Sequence, residues 1–211
     1  GVNYTHSAAV AAEPKIAVVV PVYNGFSVLL DCVTSLLEYT PKEVRLLLID
    51  DCSPDPRIGE LFGQLKERFA PRLETCPNET NLGFVRTVNR GFELAAGCDV
   101  IILNSDTVVS HRWSTLLKLA AYRSDAIGTV SAVSNNSNAF SVPIKGENPL
   151  PPHQTLPQIS RMYFQHARNW GPEIHNGHGF CMYIKRALLD DVGMFDAETF
   201  GLGYGEENDF C

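Results

Sequence analysis

The chain has 211 residues, 45% of them hydrophobic and 19% charged: enough for one folded domain with a sizeable core, and too apolar for a disordered chain. Its formal net charge is −7, from 17 basic and 24 acidic residues, which argues against a nucleic-acid partner held through its phosphates. An anionic ligand would need local help from a metal ion, a few cationic side chains or helix N-termini.

Residues 1–14 have neither a basic leader nor a long apolar core, so they do not read as a signal peptide and are expected to be a linker or processed end. No apolar run approaches the roughly 18–20 residues that span a bilayer. Ile16–Val20 is an apolar strand ending in Pro21. Over Val28–Tyr39 the residues Leu29, Val33, Leu36 and Leu37 recur at helical spacing. Val44–Ile49 is a second strand and stops at Asp50-Asp51. A second helix covers Gly59–Phe69, with Leu61, Phe62, Leu65 and Phe69 on one side. A third covers Phe84–Ala96, and Gly97 suits its C-terminal cap. The run Asp99–Leu103 is apolar and β-branched enough for a strand buried on both faces, and it halts in Asn104-Ser105-Asp106. Trp113–Tyr122 is a further helix and Ile127–Val133 a further apolar run. Residues 134–157, rich in Asn, Ser and Pro, form a long irregular segment of the functional or mobile kind. Phe180–Ile184 is a strand and Arg186–Val192 a helix; then Gly201, Gly203 and Gly205 lead into Glu206-Glu207-Asn208-Asp209. This order predicts a single α/β domain around a parallel sheet with right-handed crossovers.

The six cysteines, Cys32, Cys52, Cys76, Cys98, Cys181 and Cys211, include no C-x-x-C pair and read as free, partly buried thiols of a reducing compartment. Asn78-Glu79-Thr80 and Asn135-Asn136-Ser137 match the N-glycosylation pattern, which carries little weight without a secretory signal. There is no phosphate-binding P-loop and no G-x-G-x-x-G. Zinc-type spacing around His175 and His178 and a nucleophile elbow are missing too.

Open α/β sheets bind ligands at the carboxyl ends of their strands. Pro21-Val22-Tyr23-Asn24, Asp50-Asp51-Cys52-Ser53 and Asn104-Ser105-Asp106 all follow predicted strands, so one sheet edge would gather them. A carboxylate at Asp106 suits a hard divalent cation, and that cation suits a diphosphate. The same three residues equally suit a turn capping the next helix. A carboxylate of the Asp50-Asp51 pair could accept a pyrimidine imide N–H beneath a stacked Tyr, or the pair could simply open a turn. Glu206-Glu207 reads either as an acidic helix start that complements the macrodipole or as a general base at a glycine-hinged mouth.

In this order the clusters resemble the family 2 glycosyltransferases of GT-A fold, which include rhamnosyltransferase-like enzymes of surface-polysaccharide assembly. The resemblance covers about residues 15–211 and rests on VVVPVYNG at 18–25, LLIDDCSPD at 47–55, NLGFVRTVNRGFELAAG at 81–97, IILNSDT at 101–107, GHGFCMYIKRALLDDVGMFD at 177–196 and YGEENDFC at 204–211. It implies a Rossmann-like, mostly parallel sheet flanked by helices in one domain. It implies that Pro21, Tyr23 and Asn24 form the first nucleotide-contacting loop and that Asp51, with Asp50, holds base and ribose. Asn81, Gly83, Arg86 and Asn89 would close over the nucleotide, with Ser105 also in contact. Asp106 would bind Mg²⁺ or Mn²⁺ at the family's D-x-D position, where Asn104 replaces the first Asp. Gly177, His178 and Gly179 match the loop near the transferred sugar and acceptor. Glu206-Glu207 matches the acidic pair whose second member is the catalytic base; Glu207 is one methylene longer than the usual Asp, which leaves the choice between the two open. The implied reaction is inverting, metal-assisted transfer from a UDP- or dTDP-linked sugar to a hydroxyl of a glycan or lipid-linked acceptor. It would serve surface-polysaccharide synthesis in the cytoplasm or at the inner face of the membrane. The alternative is a non-catalytic module of the same fold that binds nucleotide sugar or glycan. A nucleotidylyltransferase would need a Gly-rich basic loop after the first strand, which this chain lacks. Family members usually continue past the acidic pair into a helix and often a metal-binding His, so a truncated C-terminal part and further domains of a longer protein are expected.

Overall fold

A computed structural model of the chain describes residues 13–166, 171–201, 203 and 205–211. Most of the expected linker, and Leu202 and Tyr204 of the glycine-rich run, lie outside the described residues.

Six strands form one sheet in the order β3-β2-β1-β4-β6-β5. β1 (Ile16–Val22), β2 (Arg45–Asp50), β3 (Leu73–Thr75) and β4 (Asp99–Leu103) are mutually parallel. The apolar runs of β1, β2 and β4 are continuous because both faces are covered. Val18, Val20, Leu46, Leu48, Ile101 and Leu103 pack in one layer with α1 (Phe26–Tyr39), α2 (Pro56–Phe69) and α4 (Trp113–Ala121). Ala17, Val19, Leu47, Ile49, Val100 and Ile102 pack in the other with α3 (Phe84–Leu94), α6 (Arg186–Val192) and α7 (Glu206–Phe210). α3 approaches closely through Gly91, where a Cβ would run into Val19 and Ile49.

The sheet is mostly parallel, as the resemblance implies, with antiparallel pairing confined to one side. β6 (Cys181–Ile184) runs antiparallel to both β4 and β5 (Thr129–Ser131). The chain leaves β5 at the carboxyl edge of the sheet and makes its long excursion there without a crossover helix, so β6 re-enters from that edge and runs back. Part of that excursion is α5 (Leu156–His166), which has no fully buried residue. β3 went unforeseen: it is three residues long, and Glu74 within it pairs with Arg45 at 2.9 Å.

At the opposite edge of the sheet, away from the strand ends that gather polar groups, Asp99 is 3% exposed and fully engaged. Its carboxylate accepts from Tyr122 Oη (2.7 Å), Tyr183 Oη (2.5 Å) and Arg186 N (2.8 Å), tying the start of β4 to the end of β6. Burial, with the Asp99 charge, pushes the Tyr122 phenol up to about 12, and moves Tyr183 in the same direction. No helix among the described residues is long and apolar enough to cross a membrane.

Candidate active site

The carboxyl ends of β1, β2 and β4 open into a cleft of about 800 Å³. Pro21, Tyr23 and Asn24 line it, as do Asp51, Asn81 and Gly83. So do Asn104, Ser105 and Asp106, then Gly177, His178 and Gly179, and finally Glu206 and Glu207.

The loop after β1 turns sharply through two left-handed residues, Asn24 (φ 59°) and Gly25 (φ 69°). It leaves Tyr23 54% exposed, a free aromatic face at the cleft rim. The loop after β2 supports it from below. Asn24 N donates to Ser53 Oγ (2.8 Å), and that hydroxyl donates to Asp50 Oδ1 (2.5 Å).

Adjacent residues of an extended strand point to opposite faces, and the two aspartates are divided accordingly. Asp50 faces the Ser53 turn and is not among the cleft-lining residues. Asp51 is 4% exposed and faces α3. Its Oδ1 accepts from Asn78 Nδ2 (2.8 Å) and Leu82 N (2.7 Å), and its Oδ2 from Gly83 N (2.9 Å). The carboxylate thus sits at the start of α3, where peptide N–H groups favour its charge. Gly83 holds φ 79° there, a conformation suited to glycine.

Asn104 is fixed by its N–H to Phe180 O (2.8 Å) and by Thr107 N donating back to its carbonyl (3.1 Å). The turn presents Asp106 exposed, with no hydrogen bond or ion pair to its carboxylate among the described residues. Beneath it, burial and then the Asp106 charge push the Cys32 thiol up to about 12.

Across the cleft, His178 N donates to Ser131 Oγ (2.8 Å). The His178 ring meets Phe140 and Phe180 edge-to-face, at 5.4 and 5.3 Å between centroids. Phe140 comes from the irregular segment 134–157, which is therefore anchored at the site. Glu207 Oε1 accepts from Gly179 N (3.0 Å), and a Cβ at Gly179 would stand 2.9 Å from that oxygen. Glu206 is 3% exposed, whereas Glu207 is partly exposed. Both lie in the first turn of α7, so the acidic helix start and the cleft carboxylate are one feature.

Three expected nucleotide contacts are not among the cleft-lining residues: Asp50, Arg86 and Asn89. Successive helix residues are turned by about 100°, so α3 sends Phe84 and Thr87 to the cleft and its other side chains elsewhere. Arg86 is exposed and donates to Ala197 O (3.4 Å). Asn89 clamps the backbone of Phe195 through Nδ2 (2.8 Å) and Oδ1 (3.1 Å). Conversely, Thr87 and Phe84 line the cleft without having been singled out; their spacing after Gly83 was the available signal. Asn78, noted only for its glycosylation pattern, is 7% exposed with its amide engaged, so its nitrogen is closed to modification in the folded chain.

Comparison with known proteins decides the family: the model for glycosyl transferase family 2 matches residues 17–193. The chain belongs to that family. The family 2 match spans β1 to α6 and ends before Glu206, so the acidic pair rests on its position in the cleft. This family 2 chain is 29% identical over 192 residues to glycosyltransferase GlyG of Streptococcus pneumoniae serotype 4, covering 88% of the chain and 61% of GlyG. It therefore spans less than two thirds of that relative. Among solved structures, mannosyltransferase PcManGT of Pyrobaculum calidifontis, in complex with GDP-Man and Mn²⁺, superposes with TM-score 0.62 at 18% identity, over 92% of this chain and 50% of that one. GalNAc-T7 with UDP, GalNAc and Mn²⁺ superposes with TM-score 0.68 at 18% identity, over 93% and 40%. At these identities the likeness establishes the shared GT-A fold.

Proposed function

We propose that this family 2 domain transfers a sugar, with inversion, from a UDP- or dTDP-linked donor to a hydroxyl of a glycan or lipid-linked acceptor in surface-polysaccharide synthesis. The observation that carries the reading is the meeting of Asp51, Asp106 and Glu207 around one cleft, with Glu207 held by the Gly179 N–H. Tyr23 offers its exposed ring to the base, and Asp51 accepts a base N–H. Asp106 fits a hard cation, since its carboxylate has no protein partner among the described residues. No cluster of three metal-ligating side chains occurs among the described residues, so Asp106 would share Mg²⁺ or Mn²⁺ with diphosphate oxygens and water. The metal, when bound, supplies positive charge where the leaving diphosphate becomes more negative. The neighbours solved with Mn²⁺ and a nucleotide or nucleotide sugar support that assignment.

Glu207 takes the proton of the acceptor hydroxyl as the oxygen attacks the anomeric carbon. The new C–O bond forms on the face opposite the diphosphate, the old one breaks, and nucleoside diphosphate leaves. Glu206, buried beside Glu207, is the supporting member of the pair. The setting is the cytoplasm, at the inner face of the membrane when the acceptor is lipid-linked. A panel of sugar nucleotides, read by nucleoside diphosphate release with and without acceptor, tests the reading. Glu207→Gln should lower kcat by roughly 10²–10⁴-fold while donor binding persists. Full transfer by that variant would refute Glu207 as the base, and binding of donor with no turnover by any pairing would favour the non-catalytic module.

A further inference from the structure

Asp51 is held by a residue that the reaction itself never touches. Asn78 is 7% exposed and lies between Asp51 and Arg90. Its Nδ2 donates to Asp51 Oδ1 (2.8 Å) and to Thr87 Oγ1 (3.0 Å), while its Oδ1 accepts from Arg90 Nη1. Arg90 is itself anchored, donating to Pro77 O at 2.9 Å. A guanidinium only donates and a carboxylate only accepts, so the amide has one consistent orientation: oxygen to Arg90, nitrogen to Asp51. Among side chains of this size, asparagine alone offers both functions. Aspartate would set a second carboxylate against Asp51, and leucine would remove one hydrogen bond each from Asp51, Thr87 and Arg90.

The count of acceptor positions gives the arrangement a consequence. A carboxylate has about four lone-pair sites. Asn78 and Leu82 N fill those of Oδ1, and Gly83 N takes one of Oδ2. One acceptor site on Oδ2 remains for the cleft, which Asp51 lines.

We propose that Asn78 is a positioning residue that fixes Asp51 as a single-point acceptor and thereby sets the nucleobase preference of the cleft. The inference rests on the reading of Asp51 given above. A base with a ring N–H at its pairing edge (uracil, thymine, guanine) satisfies that one site. Cytosine presents a bare ring nitrogen to it and is disfavoured. Loosening Asn78 lets the carboxylate turn, and the preference fades without loss of the rest of the cleft.

The test titrates the 211-residue chain with UDP, dTDP, GDP and CDP in the presence of Mn²⁺. Wild type should bind its preferred N–H base at least about tenfold more tightly than CDP. Asn78→Asp should lose roughly that factor for the preferred nucleotide and change CDP binding by less than about twofold. Arg90→Met, at a partly exposed site, should narrow the ratio in the same direction and carries the test if Asn78→Asp does not fold. In an Asp51→Asn background, Asn78→Asp should no longer move the ratio; a residue serving only stability would not behave in that way. An intact ratio in the folded Asn78→Asp or Arg90→Met variant overturns the inference, as does an equal change in the Asp51→Asn background. A wild-type chain with no base preference overturns the Asp51 reading and this inference with it. Preference in wild type that survives in Asn78→Asp overturns this inference alone.

Discussion

Gly179→Ala displaces Glu207, the proposed base, by a distance the structure defines. The added Cβ would stand 2.9 Å from Glu207 Oε1, against the 3.4 Å or more of an ordinary contact, so the carboxylate must retreat by about half an ångström. It can do so cheaply, because Oε1 is the end of a flexible side chain. Gly179 is not among the residues with positive φ, so alanine fits its backbone. Stability should therefore hold, with Tm within about 2 °C of wild type. Catalysis should not. Misplacing a reacting group by about 1 Å costs on the order of 10²-fold, so half that distance predicts a kcat lower by roughly ten- to thirtyfold, about 1.4–2 kcal/mol of barrier. The assay is the initial rate of sugar transfer at saturating donor, beside a thermal melt and a UDP titration. Wild-type kcat in a folded Gly179→Ala chain would refute the claim that Glu207 acts from its Gly179-bound position. A fall in kcat that tracks a fall in Tm would refute the steric argument.

Four further outcomes follow from the geometry. Asp106→Asn should abolish the enhancement of UDP binding by Mn²⁺ while leaving metal-free binding nearly unchanged, as paired titrations would measure. The raised pKa values of Tyr122 (to about 12) and Tyr183 mean that the folded state keeps protons the unfolded chain releases near pH 10; stability is then present below that pH and falls as pH rises towards about 12. Asp99→Asn should soften that alkaline loss in urea melts and, at neutral pH, lower Tm by about 5–10 °C through its three altered hydrogen bonds. In a timed thiol titration at pH 8, the exposed Cys52 and Cys211 should react fast, whereas Cys32 and Cys181, buried and pushed up to about 12, should react only on unfolding.

What could be read in the chain beforehand depended on whether a residue's burial leaves a periodic trace. β1, β2 and β4 are covered on both faces and read as unbroken apolar runs, and α1 to α3 each show the stripe that covers them. β6 was visible as a strand, but its direction depends on where a long excursion ends, which no local pattern encodes. The same division runs through the cleft. Charged groups just past strand ends, such as Asp51 and Asp106, announce themselves because a strand terminus fixes where they stand. Arg86 and Asn89 lie on a helix, where one or two positions turn a side chain away from the cleft. Gly179 acts through a backbone N–H, and Asn78 through the two ends of one amide. The partners in such contacts, Glu207 for Gly179 and Asp51 and Arg90 for Asn78, are set by the fold and become legible only in three dimensions.

The excursion between β5 and β6 separates two kinds of change. The groups proposed for the donor side, through Asp106, come from the first half of the chain, folded as contiguous parallel units. The segment that reaches His178 through Phe140 hangs from two neighbouring antiparallel strands, with both of its ends at one sheet edge. Closing a longer loop across that gap costs only about 0.6 kcal/mol for each doubling of its length. A lineage can therefore lengthen, shorten or exchange this segment while the donor half keeps its packing. On the proposed function, acceptor choice would then be the quickly varying property of such a domain, and the nucleotide it uses the slowly varying one.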